Sequence, residues 1–232
     1  MSRPGWEIVP LCDLLEGPPR NGYSPKEASD WTGTQMLGLG CLTVDGFWPL
    51  QLKNAPIGDQ RLKSAILQEG DLLVSRSNTR ELVGLAGIYA DVGTPCTYPD
   101  LMMRLRPNER LTARYLERYL LSASGRRQIQ AAASGTSGSM VKISGPTVMA
   151  MRVSLPSVQD QNRITEVLDT VDEAIRKTEQ VIAKLQQMKQ GLLHDLLTRG
   201  IDHNGELRPP PSEAPHLYKD SPSGKVPREW NL

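Results

Sequence analysis

The stretch SVQDQNRITEVLDTVDEAIRKTEQVIAKLQQMKQGLLHDLLTR, residues 157–199, decides the fold of this chain. Apolar or small residues recur in it at alternating steps of four and three, interrupted only at Thr178 and Lys189, which is the a/d pattern of one face of a heptad-repeat helix. Ser157 with Asp160 predicts a capping box, and Arg199-Gly200 predicts a cationic last turn with a C-terminal glycine. The predicted seam consists of Ile164, Leu168, Val171, Ile175, Thr178, Ile182, Leu185, Leu192 and Leu196.

The apolar face of this predicted helix is wider than a two-stranded coiled coil requires. Val167, Ala174, Val181 and Met188 extend the seam to the neighbouring heptad position. At about 1.5 Å per residue the helix spans roughly 60 Å, which is longer than a small domain is wide. Its charges nearly cancel, so we expect it to contact a partner helix and other proteins and not a phosphate backbone. The alternative is a long helix packed wholly inside its own chain.

The residues before this helix predict an α+β globular domain over 1–153. Residues 112–133 have the pattern of two short helices broken near Ser124-Gly125, and a short amphipathic helix is expected near 59–68. A polar loop is expected at 77–80 and a small-residue loop at 134–139. Strands are expected at 40–44, 70–76, 82–89, 101–106, 140–143 and 147–153.

The residues after the helix predict a flexible C-terminal tail. The proline, serine and glycine content of 202–227 is typical of a linker. Pro227-Arg228-Glu229-Trp230 also echoes Arg3-Pro4-Gly5-Trp6. We therefore expect residues 200–232 to be a linker followed by the start of a second repeat.

Composition predicts an ordinary cytoplasmic protein without metal or cofactor chemistry. The 232 residues carry a net charge of +1, and no apolar run approaches the ~20 residues that span a bilayer. The three cysteines include no Cys-x-x-Cys pair, and the three histidines have no metal-ligand spacing. We therefore predict reduced thiols, no bound metal, no cofactor and no membrane contact.

The average charge conceals a basic block. Residues 101–152 carry nine arginine or lysine residues against two glutamates, whereas residues 1–100 carry eight basic and 12 acidic residues. A local basic block inside a neutral protein favours a polyanionic partner. A solvated, arginine-rich helix surface explains the same composition equally well.

Motifs for catalysis are missing from the sequence. The proline pairs at 18–19 and 209–210 lack the Asn/Asp-Pro-Pro-aromatic pattern of an amino methyltransferase. Gly135-Thr136-Ser137-Gly138 lacks the spacing of a P-loop, and no Glu-x-Lys follows Pro99-Asp100 closely, as a nuclease would need. We therefore predict no catalytic residues and no enzyme activity in the chain by itself.

Two polar loops carry residue types that form hydrogen bonds with DNA bases or with the phosphate backbone. The first follows the predicted strand 70–76, which would hold its donors on a rigid base. Arg can donate twice to guanine, Asn can pair with adenine, and small hydroxyls with exposed amides suit phosphate oxygens. Each loop alone fits an ordinary turn, but both together, beside the basic block, favour DNA. The predicted DNA-binding residues are Arg76, Ser77, Asn78, Thr79 and Arg80 in the first loop, and Ser134, Thr136, Ser137, Ser139 and Lys142 in the second.

Several segments, in order along the chain, resemble one known family. They are residues 70–79 with 81–84, 134–138 with Ile143, 155–161, and 178–200, of which the run Lys189-Gln190-Gly191-Leu192-Leu193 is the most specific. On these residues the chain resembles the specificity subunit of type I restriction-modification systems, and it is similar to one half of such a subunit.

The resemblance implies a target recognition domain at 1–153 that binds double-stranded DNA, and a spacer helix at 157–199. In that family each subunit has two recognition domains. Their helices pair antiparallel, set the distance between two half-sites and dock methyltransferase subunits, which methylate adenine. Restriction subunits add cleavage driven by ATP.

One domain and one helix are present here, so the resemblance implies a homodimer through antiparallel helices that reads an interrupted palindrome. The competing hypothesis is a helical adaptor whose globular domain binds protein and not DNA.

Overall fold

The computed structural model describes residues 5–137, 140–222 and 224–230. They form two compact units, unit 1 up to Val167 and unit 2 from Leu168 onward. The helices are α1 (Ala113–Leu121), α2 (Ala123–Ala132), α3 (Gly145–Met149) and α4 (Val158–Thr198), with 3-10 turns at Leu11–Leu14, Leu39–Cys41, Gln60–Ala65 and Pro215–Leu217.

The strands are short, and most belong to unit 1. They are β1 (Glu7–Pro10), β2 (Arg20–Asn21), β3 (Gln35–Leu37), β4 (Leu42–Thr43), β5 (Gly46–Phe47), β6 (Leu52–Asn54), β7 (Leu72–Ser75), β8 (Ser77–Asn78), β9 (Ala86–Ile88), β10 (Cys96–Thr97), β11 (Met102–Leu105), β12 (Ser134–Ser137), β13 (Met140–Lys142) and β14 (Arg152–Leu155). Unit 2 contains β15 (Tyr218–Ser221) and β16 (Gly224–Pro227).

The centre of unit 1 is an antiparallel sheet in the order β2-β11-β7-β9. Strands β7 and β11 are buried along their whole length. Leu72 and Val74 belong to one hydrophobic core, whereas Leu73 and Met102 belong to another. Because side chains alternate between the faces of a strand, this sheet separates two cores.

Helices α1 and α2 cover the first of these cores. Thr112 caps α1 by accepting from the N–H of Tyr115 at 3.2 Å, and Ser122 caps α2 by accepting from Gly125 at 3.3 Å. Leu116 and Ile129 point into the core. The predicted pair of helices is confirmed, but the break lies at Ser122, because its hydroxyl serves as the cap of the second helix.

Strands β1 and β14 pair antiparallel and lead directly into α4. Ser157 caps the helix as predicted, since its hydroxyl accepts from the N–H of Asp160 at 3.1 Å, and the Asp160 carboxylate accepts from this hydroxyl at 2.8 Å. Ile164 packs against the core of unit 1, and Gln161 is fully buried. The first turns of the helix are therefore part of the globular unit.

Several local predictions differ from the structure. Residues 147–153 are not one strand, because Ser144 caps a helical turn at Thr147 with Pro146 in the first turn, and only β14 is extended. The polar loop 77–80 contains β8, and the loop 134–139 contains β12, so both are partly drawn into a sheet. Predicted strand 82–89 is extended only at Ala86–Ile88, since Gly84 adopts a positive φ of 75° in the preceding turn.

Unit 2 consists of the rest of α4 and a C-terminal segment that folds on itself. Gly200 ends the helix with a positive φ of 65°, and the buried Arg208 donates to the carboxylate of Glu229 at 2.6 Å. Tyr218 donates to the carbonyl of Pro209 at 2.7 Å, and β15 and β16 form a hairpin. The segment that composition predicted as a linker thus contains local structure, because Arg208 and Tyr218 find internal partners.

The predicted fold class, an α+β unit followed by a long helix, is confirmed. The domain limits 1–153, 157–199 and 200–232 stay predictions. Among the described helices, none is long and apolar enough to cross a membrane.

Candidate nucleic-acid interface

One small sheet brings the two predicted DNA-binding segments together. In the order β12-β13-β8, Lys142 pairs with Ser77 on one side and with Ser134 on the other, and Val141 pairs with Asn78. Val141 is buried in the core of unit 1 and ties this sheet to it. The segments 77–78 and 134–142, which are far apart in sequence, are therefore neighbours in one sheet.

Arg76 lies between β7 and β8. Its backbone N–H donates to the carbonyl of Leu101 at 2.7 Å, and its carbonyl accepts from Ile143 at 2.9 Å. The half-buried guanidinium donates through Nη1 to the carbonyl of Asp100 at 3.3 Å. This leaves further guanidinium donors that have no partner among the described residues, so Arg76 keeps the capacity for a bidentate contact.

Asn78 and Thr79 shape the turn that follows β8. The Asn78 side-chain oxygen accepts from the N–H of Thr79 at 2.8 Å, and the Thr79 carbonyl accepts from Leu82 and Val83 at 3.1 and 2.8 Å. Part of the Asn78 amide is thus used to hold the loop. Its NH₂ group has no hydrogen-bond partner in the part of the chain that the structure describes, and Asn78 is half-buried.

Arg80 is exposed but connects its loop to α2. Its Nη1 donates to the carbonyl of Gln130 at 3.1 Å, and the Gln130 amide donates back to the Arg80 carbonyl at 3.4 Å. Ser77, in contrast, is fully buried, and its hydroxyl has no hydrogen-bond partner among the described residues. The structure therefore does not present the Ser77 side chain to a ligand, because β8 turns it inward.

Strands β12 and β13 carry the second predicted segment. Ser134 and Lys142 are exposed, and Met140 is exposed as well. Thr136 and Ser137 lie within β12, whereas Ser139 lies outside the described residues. The exposed side chain of Lys142 lies on the central strand of the sheet, between β12 and β8.

Several arginines of the basic block are structural. Arg126 donates to the carbonyls of Val83 and Glu81 at 2.6 and 2.7 Å, and burial lowers its pKa. Arg104 forms a buried ion pair with Asp71. Further ion pairs join Arg110 to Glu7 and Arg114 to Glu117. Composition could not separate these internal partners from surface charges.

The predicted helix seam is exposed from Leu168 onward. Leu168 is 40% exposed, Leu185 57% and Leu192 57%. Val171, Ile175, Ile182 and Leu196 are exposed as well, and Thr178 donates to the carbonyl of Ala174. The flanking Val167, Val181 and Met188 are also exposed. Such a continuous apolar face is typical of a protein contact surface. Ile164 alone in the seam packs in unit 1.

The sequence matches the family model of the type I restriction modification DNA specificity domain over residues 4–187. The chain therefore belongs to this family, and the resemblance inferred from its sequence is confirmed.

Two curated relatives are similar over much of the chain. The putative type I restriction enzyme MjaX specificity subunit of Methanocaldococcus jannaschii is 24% identical over 229 residues, which cover 98% of this chain and 51% of the relative. The EcoKI specificity subunit of Escherichia coli is 26% identical over 180 residues, which cover 75% and 39%. The chain thus spans about half the length, or less, of these relatives. Their description as specificity subunits agrees with the prediction that this chain is a non-catalytic component.

Solved structures share the fold. A chain of a type I R-M system superposes with a TM-score of 0.56 at 19% identity, covering 86% of this chain and 47% of the other. The S subunit from M. genitalium gives 0.53 at 15% identity, covering 82% and 45%. The HsdS subunit from Thermoanaerobacter tengcongensis gives 0.50 at 19% identity, covering 83% and 45%.

Proposed function

We propose that this chain selects the DNA target for the methyltransferase and restriction subunits of a type I restriction-modification enzyme. Unit 1 binds double-stranded DNA, and α4 is the spacer and docking rod. The observation that carries the proposal is the β12-β13-β8 sheet, in which β13, with Lys142, pairs with β8 and so lies beside Asn78 and the adjacent Arg76. Membership of the specificity family supports the same function.

The chemistry of this sheet suits a DNA groove. A short antiparallel ribbon fits the major groove, where a guanidinium pairs with guanine and a carboxamide with adenine. Arg76 and Asn78 are the candidates for base contacts, because each retains donors beyond its internal bonds. Lys142, Ser134, Thr136, Ser137 and Ser139 are the candidates for phosphate contacts, and Thr79 and Arg80 support the loop from the protein side.

The exposed seam of α4 supports self-association. Two copies that pair their helices antiparallel would cover the seam and present two identical recognition domains. A two-fold dimer of this kind reads two inverted half-sites. The wider a/d/g face leaves a second line of apolar residues, including Val181 and Met188, for a methyltransferase subunit.

Selection of a duplex library tests the DNA-binding function. The purified chain, alone and mixed with a methyltransferase subunit, is incubated with randomised duplexes, and the bound fraction is sequenced. We expect two identical inverted half-sites at one fixed spacing, and affinity that falls steeply with rising salt. Arg76→Ala/Lys142→Ala is the matched variant and should lose the enrichment. No enriched sequence together with salt-independent retention would contradict the proposal.

The helical adaptor is the second candidate function, and the exposed apolar seam of α4 favours it. In that case the globular unit binds a protein and the seam binds a helix. Binding through a hydrophobic interface changes little with salt, whereas binding through several phosphates weakens steeply. Measuring the affinity for each partner at two salt concentrations therefore separates the two functions.

A further inference from the structure

Three arginine side chains converge at the edge of the central sheet of unit 1. Arg20 in β2 lies directly opposite Arg104 in β11, and Arg106 follows two residues later in the chain. Opposite residues of an antiparallel pair project from the same face of a sheet. These arginines line one surface pocket, with Glu16, Gly17 and Pro18 as the remaining lining residues.

The buried Tyr98 lies beside this cluster. Its hydroxyl donates to the carbonyl of Arg20 at 3.2 Å, and the Cζ atom of Arg104 lies 5.6 Å from its ring centroid. Burial raises the pKa of Tyr98, and the positive charges of Arg104, Arg20 and Arg106 oppose this rise. All three guanidinium charges therefore act on the Tyr98 hydroxyl.

Only Arg104 has its charge neutralised by a neighbour in the described ranges. Its Nη1 donates to Oδ2 of Asp71 at 2.9 Å, and the two side chains are 7% and 8% exposed. Arg20 and Arg106 are exposed and have no ion pair among the described residues. The Glu16 carboxylate lines the same pocket but forms no ion pair with them in that part of the chain. Since like charges facing each other on a sheet repel, an anion would stabilise this arrangement.

An edge segment connects the pocket with the candidate interface. Gly22 donates to the carbonyl of Met102 at 3.2 Å, and Ser24 donates to the Asp100 carboxylate at 2.5 Å, so residues 20–24 lie beside residues 100–104. The Asp100 carbonyl in turn accepts from Arg76. Arg104 pairs with Leu73 of β7, and Arg76 follows three residues later, which separates the pocket from Arg76 by about 10 Å at ~3.3 Å per residue. The major groove of DNA is about 12 Å wide.

We propose that the pocket of Arg20, Arg104 and Arg106 binds a phosphate of the DNA backbone, about one groove width from the bases read at the β8–β13 sheet. The proposal rests on the DNA-binding function proposed above and assigns a backbone contact to that site. Arg20 and Arg106 donate to the phosphate oxygens, and Arg104, held by Asp71, supports the pocket. A contact of this kind positions the duplex and carries no sequence information.

Salt-dependent DNA binding tests the pocket. A labelled duplex and several duplexes of other sequence are titrated with the full chain at a series of salt concentrations, and fluorescence anisotropy gives each affinity. Arg20→Ala/Arg106→Ala should weaken binding by the same factor on every duplex. The slope of log K against log salt should become shallower by about 1–2, since each lost phosphate contact contributes about 0.9.

Two control variants accompany this measurement. Arg163→Ala/Arg176→Ala removes two exposed arginines from α4 and should leave the slope unchanged. Arg20→Lys/Arg106→Lys keeps both charges and should retain most of the slope, which shows that a loss in the alanine variant comes from charge and not from misfolding.

The outcomes separate the pocket from the proposed function. If the unchanged chain binds DNA and the alanine variant keeps the full slope, the pocket does not bind a phosphate of the DNA. The proposed function is then unaffected. A loss confined to particular duplexes would make the pocket a base-reading site and would also overturn a backbone contact. Failure of the unchanged chain to bind any duplex overturns both.

Discussion

The side-chain oxygen of Gln161 accepts a hydrogen bond from the backbone N–H of Thr112 at 2.8 Å. The amide of the same side chain donates to the carbonyls of Arg110 and Pro156, at 2.8 and 3.1 Å. Gln161 is fully buried. One side chain in the second turn of α4 thus satisfies the backbone that leads into α1, and it joins the start of the helix to the globular unit.

Truncation of Gln161 should destabilise unit 1. Gln161→Ala leaves the Thr112 N–H and the Arg110 carbonyl without this partner, and each unsatisfied group costs about 1–3 kcal/mol when buried. Urea unfolding followed by circular dichroism measures the loss. Asn162→Ala, at the exposed neighbouring position, should change the free energy of unfolding by less than about 0.5 kcal/mol. Equal effects of the two variants would contradict the role of Gln161.

The buried ion pair between Asp71 and Arg104 predicts a larger effect. Asp71→Ala leaves a buried guanidinium without its counter-charge, which costs about 3–5 kcal/mol. Thermal unfolding measures this as a lower Tm. Glu173→Ala removes the exposed partner of Lys177 on α4, and an exposed pair contributes little to stability, so this variant should keep the Tm of the unchanged chain. A Tm that is equally insensitive to both changes would show that Asp71 does not stabilise Arg104.

The exposed seam of α4 predicts dimerisation. Leu168→Asp/Ile175→Asp introduces two carboxylates into the apolar face and should convert a dimer into monomers in light scattering. Glu166→Asp/Glu173→Asp, on the same helix, changes no charge and should leave the mass unchanged. A monomer for the unchanged chain would remove the basis for the two-fold dimer.

The separation of base from phosphate contacts predicts different phenotypes for Arg76 and Lys142. Arg76→Ala should cost about 1–3 kcal/mol on the preferred duplex and relax one base position. Lys142→Ala should weaken all duplexes alike and make the salt slope shallower. Binding to a panel of single-base variants of the target measures both. A uniform loss in Arg76→Ala would reassign this residue to the phosphate backbone.

The cysteines predict one reactive thiol in the folded chain. Burial raises the pKa of Cys96 to about 12 and also raises that of Cys41, so both thiols stay protonated near neutral pH. Cys12 is exposed, and its hydrogen bond to Asp13 raises its pKa. Alkylation by iodoacetamide should modify Cys12 alone in the native chain, with a rate that still rises above the ordinary thiol pKa of about 8.5.

Mass spectrometry counts the modified thiols, and unfolding in denaturant should expose all three. Cys12→Ser should abolish the native reaction. Rapid native modification of Cys96 would show that its site opens to solvent.

The long helix was the most predictable part of this chain. Its heptad pattern is local, and residues such as Leu168 and Leu185 identify their face without knowledge of the rest of the fold. Ser157 and Asp160 identified its start for the same reason. The strands β7 and β11 were also predictable, because they form apolar segments bounded by turns.

The candidate site was only partly predictable. Sequence identified Arg76 and Lys142 as candidates, but their closeness depends on the pairing of β8 with β13, which joins distant segments. The burial of Ser77 and the hydrogen bonds between Arg80 and Gln130 likewise depend on tertiary packing. The Arg104–Asp71 pair could not be predicted from the net charge of the segment, because composition does not distinguish a buried cation from an exposed one.

The pairing of Ser77 with Lys142 has a consequence for altering the target of this chain. If specificity resides at the β8–β13 sheet, the segment 76–80 of a relative cannot be grafted into this chain alone. The pairing of β8 with β13 sets the backbone register of that segment. The smallest exchangeable cassette runs from the end of β7 through β13 and carries α1 and α2 with it. Recombination between relatives that exchanges this span as one piece would transfer the target specificity of the donor. A crossover inside the span would pair β8 of one relative with β13 of another.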